Sequence, residues 1–362
     1  MQEHELYMRR CIDLARNAEG HTSPNPMVGC VVVCYGRVIG EGYHHRAGEP
    51  HAEVNAIHSV KNQDLLKEST LYVSLEPCSH WGKTPPCAEL IISKGIPHVV
   101  VGMIDPFAEV SGNGIRKLRE AGITVDVGIL EKECRQLNRR FITYHTQKRP
   151  YITLKWAQTS DGYLDNNRPP IIPATWMTGP VAKTLVHRLR AESDAILTGT
   201  NTIQRDNPSL TVRESGGKNP LRVVLDRTSR LSPEAHVFDG ETPTLVLTDT
   251  GNGLNAQKRY PACEVEEIDF NKRWIAIFDL LYARKIQSLF VEGGANTLHS
   301  LIGAGIWDEA YVFVSPLEVS DLAGGSPIEP LGIQSPPVPG HILSKESIDS
   351  ALLYYTRKET DE

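Results

Sequence analysis

The sequence predicts an α/β protein of two domains, each built on a sheet that is covered by helices and at least partly parallel. Three observations carry that prediction. Apolar strand patterns alternate with helical ones along most of the chain. The length of 362 residues exceeds what one hydrophobic core usually serves. The alternation breaks once, at the basic and polar "TYHTQKRPYITLKW", which places a boundary near Lys148 and divides the chain into 1–147 and 148–362.

From Glu3 to Ala18, the residues Leu6, Tyr7, Cys11, Leu14 and Ala15 recur at helical spacing. "SPNPMVG" stops that helix with two prolines and a glycine. "CVVVCYGRVIGEGYH" reads as two strands around a Tyr-Gly turn. A helix follows from Ala52 to Val60, then the apolar strand "TLYVSLEP", ended by Pro77. "CAELIISKG" is a helix closed by glycine. "HVVVGM" is a strand, "SGNGIRKLREAG" a loop and helix, and "ITVDVGI" a strand. Beyond the boundary, a helix covers Val181 to Ala191, and "DAILTG", "LRVVLD" and "TLVLTD" are strands. Helix "RWIAIFDLLYARK", strand "SLFVEGG", helix "ANTLHSLIGAG" and strand "EAYVFVSP" complete the series.

Composition narrows the function. The formal net charge of -6 argues against a nucleic-acid partner. No apolar run approaches the ~20 residues of a membrane span. The N-terminus lacks the apolar core of a signal peptide, so a cytoplasmic protein is expected. Seven cysteines at irregular spacing do not make a disulfide framework. Cys11, Cys30, Cys34, Cys134 and Cys263 read as small apolar core residues.

The remaining two cysteines stand in a different pattern. "PHAEVNAI" holds His51 and Glu53, and "LEPCSHWGKTPPCAEL" holds Cys78 and Cys87. His51 and Cys87 each open a helix, and Cys78 sits on the turn after a strand. Free N–H groups and the dipole at a helix start favour a thiolate. One nitrogen and two sulfurs suit tetrahedral zinc with the fourth position left to water, whose pKa the metal lowers. Glu53, two residues after His51, can stand beside the metal without ligating it and move protons. A structural zinc closed by His45 or His80 is the alternative.

Zinc nucleobase deaminases carry His-x-Glu and later Pro-Cys-x-x-Cys, with the glutamate as general acid/base. "HAE" and "EPC" match, but eight residues rather than two separate Cys78 from Cys87. With "PNPMVGCVVV", this segment resembles the deaminase half of the bifunctional riboflavin-biosynthesis deaminase/reductase family over residues 1–147. The resemblance implies a cytidine-deaminase-like α/β/α domain. It implies contacts to the substrate base from Asn25 and His44, with His45 the neighbouring alternative, and to its phosphate from Lys83. Asn25 also reads as a plain turn residue between two prolines.

In the second half, "SLFVEGGANTLHSLI" runs from a strand through Glu-Gly-Gly into a helix, either a phosphate cradle or simply a tight turn. "TLKWAQTSDG", "RAESDAILTGTNTI", "DNPSLTVR", "LRVVLD" and "VEGGANTL" resemble, in order, the reductase half of the same family, with its dihydrofolate-reductase-like fold. Ser160 and Arg227 depart from that family's pattern. The resemblance implies substrate contacts from Lys155, Arg190, Leu210, Arg213 and Glu292. It implies NADPH contacts from Trp176, Thr202, Asp206 and the Gly294, Ala295, Asn296, Thr297 loop.

The expected activity is zinc-dependent hydrolytic deamination of 2,5-diamino-6-(5-phosphoribosylamino)pyrimidin-4(3H)-one, then NADPH-dependent reduction of the ribosyl chain to ribityl. The family implies a homodimer or higher homo-oligomer. The rival is a single-activity deaminase whose second domain is non-catalytic or only binds a cofactor.

Overall fold

The computed structural model describes residues 2–79, 85–106, 111–166, 168–169, 172–322 and 332–358. The chain folds as two compact units, Met1–Arg149 and Pro150–Glu362.

Unit one opens with α1 (Gln2–Arg16), which buries Tyr7, Met8, Cys11, Ile12, Leu14 and Ala15. Strands β1 (Gly29–Cys34) and β2 (Arg37–Tyr43) form a hairpin. Its turn, Tyr35-Gly36, holds both residues at positive φ, as a two-residue hairpin loop requires. There follow α2 (Ala52–Ser59), β3 (Ser69–Leu75), α3 (Cys87–Ser93), β4 (His98–Met103), α4 (Asn113–Glu120), β5 (Thr124–Val127), α5 (Glu131–Leu137) and α6 (Arg139–Gln147).

Among the described residues the sheet order is β2-β1-β3-β4-β5, with β1 antiparallel to both neighbours and β3, β4 and β5 parallel. Every residue of β1 is buried, because helices cover both faces. Cys30 and Val32 join a core with Ala56, Ile91 and Leu118; Val31 and Val33 join another with Met8, Cys11 and Cys134. A Cβ on Gly42 would lie 2.4 Å from the Ala56 amide nitrogen, so glycine lets β2 lie against α2. Helix α6 runs through "TYHTQ", which the sequence reads as a polar connector; Phe141 and Tyr144 bury its apolar side.

Unit two contains β6 (Tyr151–Gln158), β7 (Tyr163–Asp165), α7 (Pro180–Ala191), β8 (Ala195–Gly199), α8 (Thr200–Asp206), β9 (Leu221–Leu225), β10 (Thr244–Asp249), α9 (Gly253–Arg259) and β11 (Glu264–Ile268). It continues with α10 (Arg273–Ala283), β12 (Ser288–Val291), α11 (Ala295–Gly303), β13 (Glu309–Val314), β14 (Ile333–Gln334), β15 (His341–Ile348) and β16 (Ala351–Arg357). Its main sheet has the order β11-β10-β9-β8-β12-β6-β13-β16-β15, parallel from β11 to β13 and antiparallel at β16 and β15. Leu154, Leu197 and Val291 face Ile277, Leu281 and Leu298 on one side, while Ile196, Val224 and Phe290 face Ala182, Val186 and Leu189 on the other. Parallel strands end together, so the turns after β6, β8, β9, β12 and β13 share one edge, where such sheets bind ligands. No described helix is long and apolar enough to cross a membrane.

Candidate active sites

Strand register assembles the first site. Gly29 pairs with Tyr43 and Cys30 with Val73, so the start of β1 and the ends of β2 and β3 meet at one edge. Asn25 precedes β1, His44 follows β2, Cys78 follows β3, and His51 caps α2. The ligand atoms of His51, Cys78 and Cys87 all lie within 4.8 Å of one another. His51 Nδ1 is 3.6 Å from the Cys78 sulfur and 3.4 Å from that of Cys87. A tetrahedral zinc with Zn–N near 2.0–2.1 Å and Zn–S near 2.3 Å separates such atoms by about 3.5 Å. The three side chains therefore fit zinc as they stand. The Cys87 amide donates to the Cys78 sulfur at 3.3 Å. A side-chain hydrogen bond between the two sulfurs, and then one with His51, draws the Cys78 thiol down to about 4; the bond between the sulfurs drives Cys87 upward.

Glu53 follows in the first turn of α2, buried at 3% exposure. Burial first, then the charge on Cys78, pushes its carboxyl up to about 7. Folding thus favours the protonated form, and the metal-free protein loses stability as pH rises from the ordinary carboxylate range through 7. Glu53→Gln carries no such charge. In zinc-stripped protein it is expected to be more stable than the parent by up to about 3 kcal/mol above pH 7, with the gain vanishing in acid. Urea unfolding at both pH values measures this, and equal stability throughout would mean the carboxylate is not desolvated.

His44 is buried at 3% exposure, and both ring nitrogens are engaged. Nδ1 lies 3.1 Å from the Pro50 carbonyl oxygen and Nε2 lies 3.0 Å from Asn25 Nδ2. The carbonyl accepts, so Nδ1 carries the proton and Nε2 accepts from the amide. Burial lowers the ring's pKa and keeps it neutral. This fixes the Asn25 amide with its nitrogen on His44 and leaves its carbonyl oxygen as an acceptor on the other side. His45 instead is exposed, its ring tilted against that of Tyr43 with centroids 4.2 Å apart. Lys83 and His80 lie outside the described residues.

Two residues here escape sequence reasoning. Glu76 is buried, and its carboxylate accepts backbone N–H bonds from Asp105, Gly112, Gly114 and Ile115. It ties the start of α4 to the strand end that leads into Cys78. Asn138 bonds both the N–H and the carbonyl of Met27, at 2.8 and 2.9 Å, and anchors the loop that carries Asn25. Neither contact has a local pattern, since partners lie 29 to 111 residues away.

In unit two, Arg190 on α7 forms a two-pronged ion pair with Glu292 after β12, and its Nη1 donates to the Thr211 carbonyl at 2.8 Å. Pairing of Val291 with Leu154 brings Lys155 beside Glu292. Burial opposes ionisation of Glu292, but Arg190 and Lys155 outweigh it and hold its pKa below the ordinary carboxylate value. Lys155 is drawn down by burial despite Glu292. Leu210 is buried at φ 55°, in the same loop as Arg213, which is exposed with Nη1 on Thr211 Oγ1 at 2.6 Å.

The turn between β12 and α11 places positive φ on Gly293, not Gly294. The Gly294 amide donates to Thr202 Oγ1 at 3.0 Å, and a Cβ on Gly294 would lie 2.9 Å from that oxygen. Amides of Ala295 and Asn296 open α11 with no carbonyl before them in the helix, as a pyrophosphate needs. Thr297 is buried in the same turn. The loop therefore fits a dinucleotide phosphate. Asp206 is ion-paired with the buried Arg168. Trp176 is 75% exposed, with the Lys183 ammonium 5.5 Å from its ring.

Comparison with known proteins decides the family. Residues 1–103 match the cytidine and deoxycytidylate deaminase zinc-binding region, and residues 150–350 match the RibD C-terminal domain. The chain belongs to the RibD family. Riboflavin biosynthesis protein RibD of Aquifex aeolicus is 43% identical over 332 residues, covering 91% of this chain and 90% of that one. The Escherichia coli RibD protein is 35% identical over 325 residues, covering 86% of this chain and 87% of its own. Among solved structures, the deaminase/reductase of Thermotoga maritima superposes with a TM-score of 0.85 at 38% identity, covering 99% of each chain. Acinetobacter baumannii RibD gives 0.83 at 30% identity, again covering 99% of both. RibD membership accounts for one chain with both a zinc-type His-Cys-Cys centre and a glycine-turn edge.

Proposed function

We propose that unit one is the deaminase and unit two the reductase of a bifunctional riboflavin-biosynthesis enzyme. The observation that carries this is the fit of His51, Cys78 and Cys87 to tetrahedral zinc beside a buried carboxylate, in a chain whose other half matches the RibD C-terminal domain. The substrate is the phosphoribosylamino-diaminopyrimidinone.

His51, Cys78 and Cys87 would hold zinc, which when bound would acidify a water. Glu53 takes a proton from that water and delivers it to the leaving amine, so ammonia departs and a ring carbonyl remains. The Asn25 carbonyl oxygen accepts from a ring N–H and orients the base; Lys83 is assigned to the phosphate. In unit two, NADPH supplies the hydride. Its phosphates are assigned to Thr202 and the turn from Gly294 to Thr297, and its remaining contacts to Trp176 and Asp206. Arg213 holds the substrate phosphate, while Arg190, Glu292, Lys155 and Leu210 form the wall against the ribosyl group.

The enzyme is placed in the cytoplasm, a compartment that suits its seven unpaired cysteines. Self-association through unit two is supported by edge strand β15, which exposes Ile342 and Leu343 at 47% and 46%. The two sites are independent. Cys78→Ser is expected to lose zinc and deamination yet reduce the deaminated intermediate with NADPH at the parent rate. A folded Cys78→Ser protein that cannot reduce that intermediate would contradict the division of labour.

A further inference from the structure

His187 has no part in the chemistry above, yet it is buried at 2% exposure on α7 beside the reductase site. Its Nδ1 accepts the backbone N–H of Arg213 at 2.8 Å and of Glu214 at 3.3 Å. A nitrogen that accepts from two amides carries no proton, so the ring is neutral with its proton on Nε2. Arg190, Arg213, Glu214 and Glu292 are the charged groups that act on it. Burial first, then the two arginines, draws its pKa down to about 4.

Lys183, His187 and Arg190 stand one turn apart along α7. All three grip residues 211–214. Lys183 pairs with Glu214 at 2.8 Å, and Arg190 takes the Thr211 carbonyl at 2.8 Å. The Lys183 pair is exposed at 36% and 43% and contributes little. Arg190 is committed to Glu292. His187 is thus the buried anchor for the backbone of Arg213 itself. The Arg213 guanidinium is exposed and bonds back to Thr211, so its aim depends on that backbone.

We propose that His187 is a positioning residue of the reductase, which fixes the Arg213 backbone so that its guanidinium meets the phosphate of the substrate. This rests on the reading of Arg213 as the phosphate ligand. His187→Leu removes the acceptor at similar volume, and His187→Asn returns a carbonyl oxygen where Nδ1 stood. His187→Leu is expected to raise KM for the deaminated, phosphorylated intermediate about tenfold. Its kcat and the NADPH Kd from fluorescence titration stay near the parent, and His187→Asn recovers most of the loss. Arg213→Ala raises KM by itself, and adding His187→Leu to it adds nothing further.

A parent-like KM in His187→Leu, or full additivity in the double variant, would overturn the proposal while leaving Arg213 in place. A parent-like KM in Arg213→Ala would overturn the reading of Arg213 and the proposal with it. If His187→Leu does not fold, amide hydrogen exchange on the parent protein decides. The proposal requires slow exchange at Arg213 and Glu214 relative to Ser215 and Gly216, and uniform fast exchange rejects it.

Discussion

Glu53→Gln is expected to cost deamination at least ~10²-fold while the protein keeps its zinc, because the amide retains shape and hydrogen bonding but cannot carry a proton. The carboxyl sits where a shuttle must. It lies two residues beyond His51, buried, next to the sulfur pair. Its pKa of about 7 in the metal-free protein puts both protonation states within reach at neutral pH. The same substitution that stabilises the zinc-stripped protein therefore disables the enzyme. Metal analysis and the deaminase assay on one preparation check the pair of outcomes. Turnover near that of the parent would remove Glu53 from the proton path.

Arg190→Met is expected to destabilise unit two by roughly 3–5 kcal/mol, the cost of leaving a buried charge without its partner. Glu292 would then depend on Lys155, which burial already weakens as a cation. Loss of the Arg190 bond to Thr211 would also slacken the loop that carries Arg213. A second change, Glu292→Gln, is expected to recover most of the stability by removing the stranded charge. It is not expected to recover reductase activity, since both groups are assigned to the wall against the substrate. Urea unfolding of the single and double variants, with reductase assays, separates the two effects. Equal stability of Arg190→Met and the parent would show that the pair contributes nothing to the fold.

Elements with a clear period were legible in the sequence, and so was the grouping of His51, Cys78 and Cys87. Strand β1 reads as apolar throughout because both faces are covered. His51, Cys78 and Cys87 stand at helix starts and a strand end, which local pattern reveals. Other features rest on contacts that local pattern does not encode. Helix α8 has no apolar period to read, since only Ile203 of its seven residues is buried. Strand β15 has no buried residue and so no alternation, and its hairpin partner β16 carries adjacent apolar residues. Glu76, Asn138 and His187 act through backbone groups of segments distant in sequence. Arg168 closes onto Asp206 from 38 residues away in sequence.

The most direct test of two activities in one chain is to incubate the zinc-loaded protein with the phosphoribosylamino-diaminopyrimidinone, with and without NADPH, and weigh the products. Without NADPH, one amino group is exchanged for oxygen and ammonia is released. With NADPH, the same product gains two further hydrogens, matched by an equal loss of NADPH. A product that never gains those hydrogens, from a protein whose unit two is folded, would contradict the account and leave a deaminase alone.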